Sequence, residues 1–209
     1  MNGLFITFEG PDGAGKTTQV QKFAEQLIQQ GYDVLLTREP GGTPISDQVR
    51  ELVLSPSHPE MHDHTEVLLY AASRSQHVHE KVIPALKSGK IVVCDRFVDA
   101  SIAYQGYGLG IPVEEVERIN RFATSGLVPN RTYMLDVPVT EGKARLLARS
   151  GLDRIEQKGE AYHERVREGF RKLAAQHPER IQVINACRSI ETIAHEILTD
   201  FTDWLCHNK

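Results

Sequence analysis

Cysteine is scarce. Cys94, Cys187 and Cys206 are the only three in 209 residues, odd in number, widely spaced and without a Cys-x-x-Cys pair. Reduced thiols in a cytoplasmic protein are the simplest reading. No apolar run approaches the ~20 residues that a membrane span needs. The opening MNGLFITFEG lacks a basic stretch and a cleavage site, so it reads as a strand and not as a leader. An excess of basic charge is missing too: 24 Lys and Arg stand against 28 Asp and Glu, for a net charge of −4. That argues against a general nucleic-acid binder, which usually carries a basic face, and leaves room for a local basic pocket. There are no repeats and no low-complexity tracts. With 40% hydrophobic residues, the length suits one substantial core and a single domain over 1–209.

What is present is an alternation. Five short, apolar runs read as strands: LFITFE (4–9), YDVLLTR (32–38), KIVVCD (90–95), RTYMLDV (131–137) and RIQVIN (180–185). Between the first two, Val20, Phe23, Ala24, Leu27 and Ile28 recur at helical spacing, and Gly31 supplies a stop. Strand–helix alternation predicts an α/β fold, a five-stranded parallel sheet with helices on both faces. Ligands of such sheets bind beyond the carboxyl ends of the strands, here just after Glu9, Arg38, Asp95 and Val137. The histidines are scattered; His58, His62 and His64 fall in SPSHPEMHDHTE, read as a solvated loop in preference to a metal site.

The first strand runs into Gly10-Pro11-Asp12-Gly13-Ala14-Gly15-Lys16-Thr17-Thr18, the G-x-x-x-x-G-K-[ST] spacing of a phosphate-binding loop. Both the strand before it and the amphipathic helix after it are what the mechanism requires. The glycines let successive N–H groups converge on one anion, and the helix start adds its positive end. Lys16 can reach the β- and γ-phosphates, and Thr17 can take a position on Mg²⁺. The expectation is a nucleoside triphosphate site. An Asn-Lys-x-Asp segment, the guanine reader of GTPases, is missing.

The third strand ends in Asp95, suited to hold Mg²⁺ through a water, and Arg96 follows at once. The competing reading of Asp95 and Arg96 is a pair that caps the next helix. Arg38 ends the second strand in TREPGGT. Two arginines beyond Lys16 exceed the needs of one triphosphate and make sense if a second anion binds. Guanidinium clamps offset the repulsion of two phosphates held ~4 Å apart. An ionised acceptor needs no general base, and no His-Arg-Asp loop is present. Transfer from ATP to a nucleoside monophosphate follows. In the long helix expected from Thr65 to about Lys87, Leu68, Ala71, Ser75, Val78 and Val82 form a seam assigned to the core. Tyr70, Arg74 and His77 share another face, on which a ring and a guanidinium can meet a base.

The segments FEGPDGAGKTTQ, TREPGGTPISDQVRELVL, EVLLYAASRSQHVHEKVIPAL, CDRFVDASIAYQGYGLG and LARSGLDRIEQKG, taken in order, resemble the bacterial thymidylate kinases. The likeness runs from Leu4 to the last helices. It implies a P-loop NTPase fold with a short lid at about 149–160, and phosphorylation of dTMP to dTDP by ATP with Mg²⁺. Asp12 would accept from the acceptor's sugar 3′-OH, which explains a carboxylate in an anion-binding loop. Arg38 and Arg96 would hold the acceptor phosphate, and the Glu39–Pro40 bond would be cis. Tyr70 would stack on thymine and Arg74 would donate to its carbonyl. Ser101, Tyr104 and Gln105 would line base and sugar, with Tyr104 filling the space of a 2′-hydroxyl. The loop has Gly13 where one branch of the family carries its catalytic arginine, so the likeness is to the lid type, with Arg154 and Arg149 as candidates and Glu156 a weaker one. A homodimer is also implied. Two other readings stand beside this one: a kinase of another small acceptor, such as dUMP or a nucleoside, and a nucleotide-binding switch with no acceptor.

Overall fold

The computed structural model describes residues 3–148 and 151–207. Its strands are β1 (Leu4–Glu9), β2 (Val34–Arg38), β3 (Ile91–Asp95), β4 (Arg131–Asp136) and β5 (Ile181–Asn185). They form one all-parallel sheet in the order β2-β3-β1-β4-β5, so the fold is α/β of the P-loop NTPase type. The chain order reverses beside β1, which places the β1–α1 loop at the crevice where such sheets bind ligands. All strands point the same way, so the ends named above converge on one edge.

The pleat divides the core. Ile6 and Phe8 face one side, where helices α1 (Lys16–Gln29) and α9 (Ile190–His207) cover them. The rings of Phe8, Phe23, Tyr133 and Phe201 interlock there, with centroids 5.2–5.9 Å apart. Phe5 faces the other side, beneath the π-helical turn Val78–Val82 that follows α3 (Asp63–His77), and beneath α4 (Ile83–Lys87). Farther along that side, α5 (Val98–Ser101), a π-helical segment (Ile102–Gly108) and α8 (Glu160–Gln176) bury Tyr104, Tyr162 and Phe170. Helices α2 (Pro44–Leu54), α6 (Val113–Ala123) and α7 (Val139–Leu147) complete the described elements. Gly31, at φ 88°, closes α1: its N–H bonds Ile28 and that of Tyr32 bonds Leu27, the paired ending that a left-handed residue permits. Ile28 itself is exposed, outside the apolar stripe to which its spacing assigns it.

The helix expected over 65–87 is a continuous rod in which a π-helical turn, Val78–Val82, joins α3 to α4. Its core seam needs correction. Ala71, Val78 and Val82 are buried, but Leu68 is 57% exposed and Ser75 only half-buried. The buried face of α3 is largely polar instead, with Glu66, Ser73, Arg74 and His77 all inside. Glu39, Asn120 and Ser101 partner Arg74 and His77, Gln105 and Arg154 partner Glu66, and Ser46 partners Ser73, which makes this burial tolerable.

Candidate active site

The phosphate loop curls through positive φ at Gly10 (132°), Gly13 (76°) and Gly15 (84°). Two of these also permit close approach: a Cβ at Gly10 would lie 2.3 Å from the Leu135 carbonyl oxygen, and one at Gly13 only 2.2 Å from that of Gly142 in α7. A side chain at 13, such as an arginine, therefore requires α7 to move. Lys16 lies folded over the loop, with Nζ donating to the carbonyls of Gly10 (3.1 Å) and Pro11 (2.7 Å). Burial, followed by the nearby Arg96, pushes its ammonium down to about 8. An anion at the start of α1 acts in the opposite sense and stabilises the charged form.

At the neighbouring strand end, the Thr17 hydroxyl donates to Asp95 Oδ2 at 2.7 Å. This is an all-oxygen pair of the kind that Mg²⁺ takes, one carboxylate and one hydroxyl with phosphates left to complete the shell. Asp95 therefore faces the loop, and the helix-capping alternative fails. Arg96 occupies the left-handed region at φ 71°, a strained conformation for a side-chain-bearing residue. There it turns its guanidinium back over the loop, onto the Gly10 carbonyl (3.0 Å), Asp12 Oδ1 (2.5 Å) and the Tyr104 hydroxyl (3.1 Å). Tyr104 Oη in turn donates to Asp12 Oδ2 at 2.8 Å, and its ring lies under the Arg96 guanidinium, 4.9 Å from centroid to Cζ. Burial would raise the Asp12 carboxyl, but Arg96 and Lys16 outweigh it and hold it below the ordinary range. Asp12, Arg96 and Tyr104 thus form one fixed triad between the phosphate loop and the π-helical segment.

Beyond the triad opens a cavity of about 710 Å³. Arg38, Tyr70, Arg74, Ser101, Tyr104 and Gln105 all line it, so the geometry gathers the expected acceptor residues. Arg38 is half exposed and rests on Asp47 at 3.3 Å. The Glu39–Pro40 bond is cis. Arg74 is fixed by four partners: Glu39 Oε2 (2.6 Å), Ser101 Oγ (2.8 Å), the Phe97 carbonyl (3.0 Å) and Asn120 Oδ1. His77 does not share the site. It is fully buried behind it, between Glu39 Oε1 (2.8 Å) and Thr37 Oγ1 (2.7 Å). Burial would raise the Glu39 carboxyl, but the Arg74 guanidinium and the hydrogen bond with His77 outweigh it and hold it below the usual value.

Arg154 departs from the role its motif suggests. Its guanidinium is buried against Glu66 Oε2 (2.8 Å) and the Val53 carbonyl (3.0 Å), and its neighbours Asp153, Ile155 and Glu156 line the cavity in its stead. Glu66 on α3 is fully buried, and its pairing with Arg154 leaves neither charge uncompensated. Arg149 lies outside the described residues. Two arginines escaped the sequence reading. Arg50 lines the same cavity and donates to the Pro40 carbonyl at 2.9 Å. Arg145 ties α7 to the loop through the Gly13 carbonyl (3.2 Å) and to the end of β5 through that of Ala186 (3.1 Å). Arg145 stands four positions before Arg149 in the sequence, a spacing that could have flagged it. Nothing in the sequence marks Arg50 beyond its place three residues after Asp47.

A phosphate loop facing a second cationic pocket defines a P-loop phosphotransferase that handles two nucleotides. The profile of the thymidylate kinase family matches residues 8–197. A thymidylate kinase of Exiguobacterium sibiricum is 56% identical over 205 residues, covering 98% of this chain and 97% of that one. Another, of Bacillus pumilus, is 46% identical over the whole of both chains. The crystal structure of thymidylate kinase from Ehrlichia chaffeensis superposes with a TM-score of 0.79 at 35% identity, covering 96% of this chain and 98% of that one. The chain belongs to the thymidylate kinase family.

Proposed function

We propose that this chain is one P-loop nucleoside monophosphate kinase domain that transfers the γ-phosphoryl group of ATP to dTMP, giving ADP and dTDP for dTTP synthesis and DNA replication. The observation that carries this reading is the Asp12–Arg96–Tyr104 triad. In this reading Asp12, on the loop that also carries Lys16, supplies the acceptor for a sugar hydroxyl, and Arg96 the donor for a phosphate. Gly10 to Thr18 cradle the ATP phosphates, and Lys16 neutralises charge at the transferred group. Arg38 and Arg96 clamp the acceptor phosphate, so its ionised oxygen attacks without a base. Tyr70 stacks on the base, Arg74 donates to a ring carbonyl, and Ser101 and Gln105 complete the wall. Tyr104 leaves no room for a 2′-hydroxyl. Mg²⁺, when bound, would be held by Thr17 and Asp95 and would supply electrostatic neutralisation of the phosphates. Arg149 is the remaining lid candidate for the catalytic arginine.

A nucleoside acceptor would need a general base, and the carboxylates at the strand ends, Glu9 and Asp95, are both already engaged. Glu9 is fully buried, accepts from the Phe97 N–H at 2.7 Å, and is pushed up to about 8 by burial and Asp99. Asp95 is engaged by Thr17. A homodimer is supported by exposed apolar side chains on neighbouring helices: Ile45 and Leu52 on α2, Leu68 on α3 and Phe122 on α6. No helix among the described residues is long and apolar enough to cross a membrane; the sparse, unpaired cysteines support a cytoplasmic setting.

The test is ADP release with ATP and Mg²⁺ against dTMP, dUMP, dCMP, AMP, thymidine and no acceptor. Turnover with dTMP well above the rest is expected. Turnover with thymidine but not dTMP would overturn the two-anion argument, and turnover independent of acceptor would favour a switch.

A further inference from the structure

We propose that Glu66, held by Arg154, is a specificity-positioning residue: it fixes the Gln105 side-chain amide so that its carbonyl oxygen is presented to the acceptor base. This rests on the acceptor reading above. Glu66 is fully buried on α3, and its two oxygens are divided between two jobs. Oε2 receives Arg154 at 2.8 Å, with Lys158 Nζ 3.9 Å away, while Oε1 receives Gln105 Nε2 at 2.9 Å. A carboxylate paired with a guanidinium can only accept, so the end of the Gln105 amide that meets it must be the NH₂. The opposite end, Oε1, is buried and has no protein donor among the described residues, and Gln105 lines the cavity.

A buried carbonyl oxygen facing a base selects an edge that carries an N–H. Thymine offers an imide N–H between its two carbonyls, and cytosine offers a bare ring nitrogen at the same place. An amide free to flip could meet either one, because it has a donor end and an acceptor end. Glu66 removes that freedom. Arg154 keeps the carboxylate in place from the other side, and is itself anchored by Nε on the Val53 carbonyl and by its N–H on that of Leu54, both at 3.0 Å. The turn that carries Arg154 is rigid: Asp153 Oδ1 caps the N–H groups of Ile155 (2.8 Å) and Glu156 (2.9 Å). Arg154 therefore acts through Glu66 and Gln105, as a positioning residue.

The experiment compares kcat/KM for dTMP and dCMP in wild type, Glu66→Gln, Arg154→Met and Arg154→Lys. A glutamine at 66 can donate to Gln105 and allow the flip. The dTMP preference should fall by about tenfold, with kcat for dTMP within a few-fold of wild type. Arg74 still disfavours the cytosine amino group, so some preference persists. Arg154→Met should lower the ratio in the same way, and Arg154→Lys should largely preserve it. Thermal melts establish that each variant is folded, and Arg154→Met carries the test if Glu66→Gln is not. A ratio within twofold of wild type in folded Glu66→Gln or Arg154→Met overturns the proposal. A hundredfold loss of kcat in Arg154→Met with the ratio and KM for dTMP unchanged overturns it too, and returns Arg154 to the transferred phosphoryl group. A wild type that does not prefer dTMP to dCMP is a different failure, that of the acceptor reading.

Discussion

Asp12 does two things that a phosphate loop ordinarily avoids: it adds negative charge and it binds an arginine. On the function proposed above, both follow from the loop's having two faces, one for ATP and one for the acceptor. Replacing Asp12 by Asn removes the charge opposite Arg96 and weakens the acceptor for a sugar hydroxyl. The expected outcome is a loss of about 10- to 100-fold in kcat/KM for dTMP, the range of one charged hydrogen bond. KM for ATP should stay within a few-fold, as steady-state kinetics with each substrate varied in turn will report. Lys16 gives a pH signature. Its folded value, about 8, lies below the ordinary 10.5, so between these limits the folded chain binds fewer protons than the unfolded one. Linkage then makes this group's contribution to stability increase as pH rises through that window, the reverse of a lysine that gains a carboxylate partner. Catalytically, the free enzyme loses its cation over the same rise. Thus kcat/KM for ATP should begin to fall near pH 8, while kcat, read with phosphates bound, holds to higher pH. Parallel pH profiles of the two constants would show this, and coincident profiles would count against it.

At the scale of elements, the loop is shaped from outside as well as by its glycines. Gly142 presses α7 against it so closely that a Cβ there would meet the Asp12 carbonyl oxygen at 2.6 Å. Gly142→Ala, harmless to a helix in isolation, should push the loop away, raising KM for ATP more than it lowers Tm. A similar fit joins α8 to the π-helical segment, where a Cβ at Gly169 would come within 2.6 Å of the Tyr107 ring. Gly169→Ala should cost about 1–3 kcal/mol in a denaturant melt, because that contact fixes the segment carrying Tyr104 and Gln105. These contacts mark where the sequence was silent. The strands were legible because apolar runs bounded by turn residues have few other fates, and the loop because its spacing carries its own mechanism. The buried polar face of α3 was not. Arg74 and His77 find partners at Glu39, Ser101 and Asn120, between 27 and 46 positions away, and no periodicity reports such distant pairing. The pairing of Arg154 was hidden for the same reason: its motif names a cation but not the carboxylate, Glu66, that it meets.

On the scale of the whole molecule, four of the eleven large apolar side chains exposed among the described residues lie on helices that pack side by side: α2 on α3, and α3 on α6. Phe122 is 89% exposed, with Leu68 at 57%, Ile45 at 54% and Leu52 at 42%. Single exposed apolar residues need no explanation, whereas several large ones on three adjoining helices define a face that water solvates poorly. The same α3 that offers Leu68 outward holds Arg74, Tyr70 and Glu66 inward, so a partner on this face would brace the acceptor wall without entering the site. A symmetric dimer needs the patch to complement itself, and a stable one buries on the order of 1,600 Å² in total. Phe122→Glu places a charge on each copy at the centre of the proposed contact. The wild type should elute and scatter light as a dimer, and this variant as a monomer at micromolar concentration. Because every functional side chain assigned above comes from one chain, the monomer should retain turnover, with KM for dTMP raised in step with the loss of bracing. A variant that stays dimeric places the interface elsewhere, and a monomer with unchanged KM for dTMP would show that α3 holds the acceptor wall unaided.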